Sequence, residues 1–288
     1  MEVKAMSVSA ANISSLGCGA TIPVAYYPKD IEQLRQIQRR HAARSRLFIA
    51  GALSNTLVLE MTPDDATIFC SAMRGIRVHE DCITVRAGEK TAHVADVARI
   101  CGLSGMEDLC CIPGTVGGGV MGNAGCYDTA FKDVVKSVRL FHLDDGQQEE
   151  LSGEEIAFRY RYCNLRKNVD FITEVTLRLF PDGVSAIGAR MSDVRKKRKQ
   201  TLPTGKSLGS VFKKIDGVSC GYYLDRLGIK GRRIGGMQVS EKHAGIIVNR
   251  GDGTPEEYLA LVELCESEIQ KATGRKPERE VVIFGRNQ

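Results

Sequence analysis

Five parts of this 288-residue sequence have residue types and spacing suited to chemistry. Two are loops rich in glycine and small residues, Gly51-Ala52-Leu53-Ser54-Asn55 and Pro113-Gly114-Thr115-Val116-Gly117-Gly118-Gly119. Small residues let backbone N–H groups approach an anion closely, and successive N–H groups form a nest for a diphosphate. Either loop alone reads as a tight turn at a strand end; the two together point to a bulky dinucleotide held by main chain. The third part is Arg161, in FRYRYC. As an alternating segment, this would put Tyr160 and Tyr162 on one face and Arg161 on the other. A guanidinium among aromatic neighbours suits two-point binding of a carboxylate, although periodicity alone describes a surface strand arginine. Ser210, in LGSVFKK, and Glu280, in PEREVVIFG, complete the set. By themselves they read as a turn serine and a carboxylate guarding a strand edge. Lys213, Lys214 and the run Arg195 to Lys199 are able to bind phosphates, with a solvated basic face as the default reading.

The elements that must position these residues alternate at both ends of the chain. Ile22 to Tyr27 reads as a strand. Asp30 caps the helix IEQLRQIQRRHAA, whose Ile31, Leu34 and Ile37 share a face. Leu47 to Ala50 is a short buried strand, and Leu57 to Glu60 resumes extended structure. Strands follow at Thr67 to Cys70, Ile76 to Val78, Cys82 to Arg86, Val135 to Leu143 and Asp170 to Phe180, with a helix from Ala92 to Cys101 that ends at Gly102. Pro181-Asp182-Gly183 is a turn, and the basic run VRKKRKQ marks a boundary near 181–200. Beyond it, Gly221 to Leu227 reads as helix and Ile246 to Asn249 as extended. Thr254 and Glu257 then form a capping box with Pro255 at the first helical position, Gly274 closes that helix, and Tyr258, Val262, Cys265 and Ile269 form its inner stripe. Val281 to Phe284 is the last strand. The fold class is α+β, in three parts: 1–64, 65–185 and 186–288.

Composition narrows the function. Apolar residues make up 43% and charged residues 26%, ordinary for a globular chain, and the net charge of +5 is too weak to imply nucleic acid but suits an anionic ligand. With no tryptophan and 6% aromatics, a stacking platform for single strands is not expected. The ten scattered cysteines form no CxxC pair and read as small buried hydrophobes in a reducing compartment. The N-terminus lacks the apolar core of a signal peptide, and no apolar run has membrane-span length, so the expectation is a cytoplasmic protein with no membrane partner. Three motifs are set aside. Gly117, Gly119 and Gly122 satisfy G-x-G-x-x-G, but Pro113 interrupts the approach and NAGCYD is a poor helix start. Gly205-Lys206-Ser207 lacks the earlier glycine of a P-loop, and the five histidines have no metal-ligand spacing.

In order along nearly the whole chain, GALSNTLV, IPGTVGGGVMGNAGCYD, FRYRYC, SLGSVFKK, GIKGRRIGGMQVSEKHAGIIVN and EREVVIFG resemble the UDP-N-acetylenolpyruvoylglucosamine reductase (MurB) family, with the length of its type II members. The resemblance implies a two-part FAD-binding region of the vanillyl-alcohol-oxidase (PCMH) type and a smaller C-terminal α+β substrate domain. It implies NADPH-driven, FAD-dependent reduction of an enolpyruvyl ether of a UDP-sugar to the lactyl ether, in peptidoglycan precursor synthesis. The roles it implies are carboxylate binding for Arg161, proton donation for Ser210 and enolate stabilisation for Glu280, a carboxyl whose neutral form burial beside another carboxylate would favour. Cofactor contacts are implied for Gly51, Ala52, Leu53, Ser54, Asn55, Pro113, Gly114, Thr115, Gly117, Gly118, Asn123, Ala124, Gly125 and Tyr127. Substrate contacts are implied for Tyr160, Lys206, Lys213, Gln238 and His243. Ala52 and Leu53 stand where the family usually has glycine, so Leu53 is expected to crowd the diphosphate. Cys163 replaces a usual serine, and Lys214 and Gly245 replace usual asparagines. The alternatives are a related flavoenzyme with another substrate and a non-catalytic flavin-binding homologue.

Overall fold

Residues 2–41 and 46–285 are described here from a computed structural model. They pack as two compact units, each discontinuous in sequence. The first comprises Met1–Met6, Val24–Ala52 and Asp64–Arg198; the second comprises Ser7–Pro23, Leu53–Pro63 and Lys199–Gln288.

In the first unit, parallel strands Thr21–Tyr26 and Leu47–Ala50 flank Ala66–Phe69, whose four residues are all buried, as a central parallel strand requires. The helix Ile31–His41 connects the first two of these in sequence. Its Asp30 carboxylate accepts from the Gln33 N–H at 2.8 Å, and Leu34 and Ile37 are its buried stripe. Residues 42 and 43, expected to extend this helix, lie outside the described residues.

A second sheet is antiparallel and five-stranded, in the order Gln148–Ser152, Val135–His142, Asp170–Arg178, Cys82–Arg86, Ile76–His79. Strand alternation explains its two faces. Val138, Val175 and Val85 sit opposite one another and are fully buried. On the outer face Arg77 and Arg139 both pair with Glu174, and Arg139 also pairs with Glu150. The helix Thr91–Ile100 buries Val94, Ala95 and Ala98 and ends before Gly102, at φ +67°.

The expected boundary segment is an 18-residue helix, Val184–Thr201, and the two units part within it. Only Ile187 and Met191 of this helix are buried, so its apolar signal is faint beside the basic run. The glycine run also contains a short helix, Val116–Met121, where none was expected. No strand leads into it: a single 3₁₀ turn, Asp108–Cys111, precedes the loop, so the dinucleotide-fold fingerprint still lacks its strand.

In the second unit, Lys206–Ser210, Ile246–Asn249, Met237–Val239 and Arg233–Ile234 form an antiparallel sheet. The helix Pro255–Thr273 packs with it through Tyr258, Leu261, Val262, Cys265 and Ile269. Its capping box is closed at both ends: the Glu257 N–H donates to Thr254 Oγ1 at 3.3 Å, and the Thr254 N–H donates to Glu257 Oε2 at 3.0 Å. Gly274 terminates it at φ +71°. Thr56–Val58 pairs in parallel with Val282–Phe284, bringing two segments distant in sequence into one core. All ten cysteines are free thiols, six of them buried. Burial pushes the Cys70 thiol up to about 11 and the Cys265 thiol up to about 12. Among the described residues no helix is long and apolar enough to cross a membrane.

Candidate functional site

The glycine loop of the first unit is shaped by what its glycines touch. A Cβ at Gly117 would lie 2.8 Å from Ala87 Cβ, and one at Gly119 would lie 2.2 Å from Phe131 Cε2. Gly51 is similarly close to the loop: a Cβ there would lie 2.7 Å from Thr115 Oγ1. Thr115 is buried and caps the short helix, accepting from the Gly118 N–H at 3.3 Å. The sequence reading expected a nest of N–H groups here. Instead the N–H groups of Val116 and Gly117 donate to Glu89 O and Ala87 O, and that of Gly119 to Thr115 O. The run is therefore a packing device. Gly118 is its exposed member, touched only by Thr115 Oγ1 at 3.3 Å from a notional Cβ.

Asn123 is 2% exposed, and both ends of its amide are used within the chain. Nδ2 donates to Arg159 O at 2.8 Å, and Oδ1 accepts from the Lys132 N–H at 3.0 Å. It shapes the loop from beneath, at φ +40°. Ala124 donates its N–H to Gly119 O at 2.7 Å. Pro113 and Gly114 precede the cap, with Gly114 at φ +114°, a conformation that favours glycine.

Arg161 does not lie on an alternating strand. Arg159 and Tyr162 exchange main-chain hydrogen bonds at 2.9 and 3.1 Å, so Tyr160 and Arg161 are the two residues of a tight turn. Arg161 holds φ +54°, a left-handed conformation uncommon for a residue with a side chain and often found at functional positions. Its guanidinium stacks 5.1 Å from the Tyr160 ring centre and donates from Nη2 to Gly125 O at 2.8 Å. Tyr160 and Arg161 are thus neighbours on one turn, not on opposite faces.

The basic run, whose default reading was a solvated face, supplies two of its members here. Lys197 Nζ lies 4.1 Å above the Tyr127 ring, and Arg198 Nη1 donates to Cys126 Sγ at 3.0 Å. A helical reading of 184–201 would have been the signal for them. Three cations thus converge on Gly125–Tyr127. The glycine surface and these cations fit a flat anionic dinucleotide, and FAD is of that class.

The second unit holds most of the remaining candidates; Ala52 and Cys163 belong to the first. Gly209 is at φ +77°, and a register shift between Ser207 and Ser210 brings Ser210, exposed, opposite Ile246. The next residue, Val211, accepts through its carbonyl from the N–H of Glu280 at 2.8 Å and, more weakly, from Val281 at 3.4 Å. Ser210 and Glu280, seventy positions apart by number, are therefore brought to adjoining backbone. Arg279 is held by Glu266 through a two-point ion pair, at 2.5 and 2.9 Å. Leu53, expected to crowd a diphosphate, is 2% exposed with its side chain buried, and it holds φ +47°. Ala52 is exposed and Ser54 half-buried.

Lys213 Nζ pairs with Glu278 at 2.6 Å, and Gln238 Nε2 donates to Gly231 O at 3.1 Å. The stem of Lys206 lies across Gly17: a Cβ there would be 2.4 Å from Lys206 Cδ. His243 lines an open groove of about 220 Å³ with Tyr222, Asp225, Lys230 and Lys242. Burial, reinforced by the charge of Lys230, holds its imidazole below the ordinary value of 6.5. Gly245 backs it: a Cβ there would press on His243 Cε1 at 3.1 Å and Gly221 Cα at 3.2 Å, so this departure from the family pattern fits its surroundings. Cys163 is buried, donating to Met121 O at 3.2 Å.

Comparisons with known proteins point to a family for each part of the chain. Residues 22–152 match the FAD binding domain family, and residues 200–284 match the family described as UDP-N-acetylenolpyruvoylglucosamine reductase, C-terminal domain. A UDP-N-acetylenolpyruvoylglucosamine reductase of Limosilactobacillus reuteri is 34% identical over 90% of this chain and 88% of its own length. One from Syntrophomonas wolfei is 32% identical over 94% of this chain and 92% of its own. Among solved structures, UDP-N-acetylenolpyruvylglucosamine reductase (MurB) from Thermus caldophilus superposes with a TM-score of 0.85 at 28% identity, covering 98% of this chain and 99% of that one.

Proposed function

The chain belongs to the UDP-N-acetylenolpyruvoylglucosamine reductase family, and from that premise we propose how its own residues carry the reaction. The activity is FAD-dependent reduction of UDP-N-acetylglucosamine enolpyruvate to UDP-N-acetylmuramate with NADPH, a step of peptidoglycan precursor synthesis. When bound, FAD supplies the hydride, drawn from NADPH, that adds to the β-carbon of the enolpyruvyl ether. Hydride addition there puts negative charge on the α-carbon and into the carboxylate. Arg161 binds that carboxylate as a fixed cation, in the manner of an oxyanion hole. Ser210 delivers its hydroxyl proton to the α-carbon, a centre basic enough to take it. Glu280, half-buried, is assigned to stabilise the enolate oxygen through its carboxyl. Tyr160, Lys206, Lys213, Gln238 and His243 are assigned to the UDP-sugar. Gly51 to Asn55, together with Pro113, Gly114, Thr115, Gly117, Gly118, Asn123, Ala124, Gly125 and Tyr127, are assigned to FAD, by contact or by shaping the surface it meets. We divide the chain into two FAD-binding parts, 1–64 and 65–185, the latter also carrying the substrate residues Tyr160 and Arg161, and a substrate domain, 186–288, and place it in the cytoplasm.

The observation that most supports this reading is the main-chain bond between Glu280 and Val211, which sets the carboxyl-bearing residue beside Ser210. Purified protein is expected to show flavin absorbance that NADPH bleaches and that returns anaerobically only on adding the enolpyruvyl UDP-sugar. Return of the colour with enol ethers that lack UDP would point to a different substrate. A protein without flavin bands after gentle purification would point to a non-catalytic homologue.

A further inference from the structure

We propose that Asn55 is the positioning residue for Glu280, so that the end of the first glycine-rich loop fixes the proposed enolate-stabilising carboxyl. This rests on the assignment of Glu280 above. Asn55 uses both its side chain and its main chain on the C-terminal strand segment. Its Nδ2 donates to Glu280 O at 2.9 Å, and its own carbonyl accepts from the Val282 N–H at 2.9 Å. The regular parallel pairing starts one residue later, with Thr56 opposite Val282.

The ladder therefore does not reach Glu280, and a side-chain amide takes its place. On the other side the Glu280 N–H is held by Val211 O at 2.8 Å. Both polar groups of the Glu280 peptide backbone are thus tied, one to the strand end that bears Ser210 and one to Asn55. With the backbone fixed at both groups, the carboxyl moves only through its own side-chain torsions. Placement to a fraction of an ångström is what a hydrogen bond to a developing enolate demands. The sequence assigned Asn55 to the cofactor. The structure gives one amide N–H to Glu280 O, so beside its place in the cofactor loop Asn55 is a positioning residue that acts through another group.

The test uses the flavin-loaded enzyme and separates the half-reactions by stopped flow: bleaching by NADPH, then recovery on adding the enolpyruvyl UDP-sugar. Asn55→Ala is expected to slow recovery about tenfold or more beyond any slowing of bleaching, and the Asn55→Ala/Glu280→Gln double variant to be no slower in recovery than Glu280→Gln alone. Asn55→Asp supplies a second readout and serves if the alanine variant does not fold. Its ionised carboxylate has no proton to give Glu280 O, whereas its acid form does. Its recovery rate relative to the unaltered enzyme is therefore expected to rise on acidification, a pH dependence that a purely structural role does not produce. Flavin affinity, followed by fluorescence on titration, is the remaining readout. Equal slowing of both half-reactions, or a loss of flavin affinity that accounts for the slowing, overturns the inference. A crippled Glu280→Gln beside an unaffected Asn55→Ala also overturns it, while leaving the assignment of Glu280 standing. If Glu280→Gln itself recovers normally, that assignment fails and the inference goes with it.

Discussion

The loop Pro113–Tyr127 and the Ser210–Glu280 pair are built by opposite means. The loop is made by leaving atoms out: Gly117 and Gly119 sit where Ala87 and Phe131 leave no room for a Cβ. The pair is made by adding bonds: Val211 O, Asn55 Nδ2 and the Arg279–Glu266 ion pair hold the Glu280 segment in place. A surface that must accept a large flat ligand is best made by steric exclusion, since close-packed atoms give little. A group that must meet one developing charge is best set by directional bonds. The two regions should accordingly fail in different ways when altered, the loop through stability and the pair through turnover.

Gly119→Ala is the sharpest test on the loop side. Its methyl meets the Phe131 ring, and forcing the two apart is expected to cost about 3 kcal/mol, visible as a lower denaturant midpoint and weakened flavin retention. If Gly118→Ala, on the exposed residue of the same run, destabilises as much, the packing account of the loop is wrong. Ser210→Ala comes next. Recovery of flavin absorbance by substrate is expected to fall by about 10²-fold, the scale of a lost general acid, with bleaching by NADPH and the melting temperature preserved. Equal loss in both half-reactions would make Ser210 structural and erase the contrast.

A smaller effect concerns pH. The folded-state pKa of His243 lies below its unfolded value, so the folded protein takes up this proton at lower pH than the unfolded chain does. The stability linked to it is complete above 6.5 and is lost as pH falls through the folded value. Denaturation midpoints measured from about pH 7 to about pH 5 should therefore fall less steeply in His243→Gln than in the unaltered protein. The smallest effect is expected in the core of the second unit. Tyr258 is 1% exposed and its hydroxyl has no hydrogen-bond partner among the described residues, so Tyr258→Phe should change stability by no more than about 0.5 kcal/mol, in either direction. A drop of several degrees in melting temperature would mean that the hydroxyl is satisfied in solution.

What was legible in the sequence follows the same divide. Local rules located the capping box at Thr254 and Glu257, the strands Leu47–Ala50, Cys82–Arg86 and Ile246–Asn249, and the inner stripe of the last helix. The glycine run announced a tight site, though not that its N–H groups would be taken up by Glu89, Ala87 and Thr115. Tyr160 and Arg161 were misread because an alternating pattern of arginine and tyrosine fits a turn as well as a strand. Nothing in local spacing ruled out a left-handed arginine. The helix Val184–Thr201 was missed because two buried side chains in eighteen residues make no stripe. The pairing of Asn55 with Glu280 depends on contacts between distant segments, which periodicity does not encode.

The parallel pairing of Thr56–Val58 with Val282–Phe284 has a consequence for biosynthesis. Thr56–Val58 is translated well before its partner Val282–Phe284. The second unit therefore stays open while the ribosome works through the sequence between them, its early strand waiting with an unpaired edge. A stalled or prematurely ended translation product would carry that sticky edge into the cell, a ready substrate for chaperones and proteases.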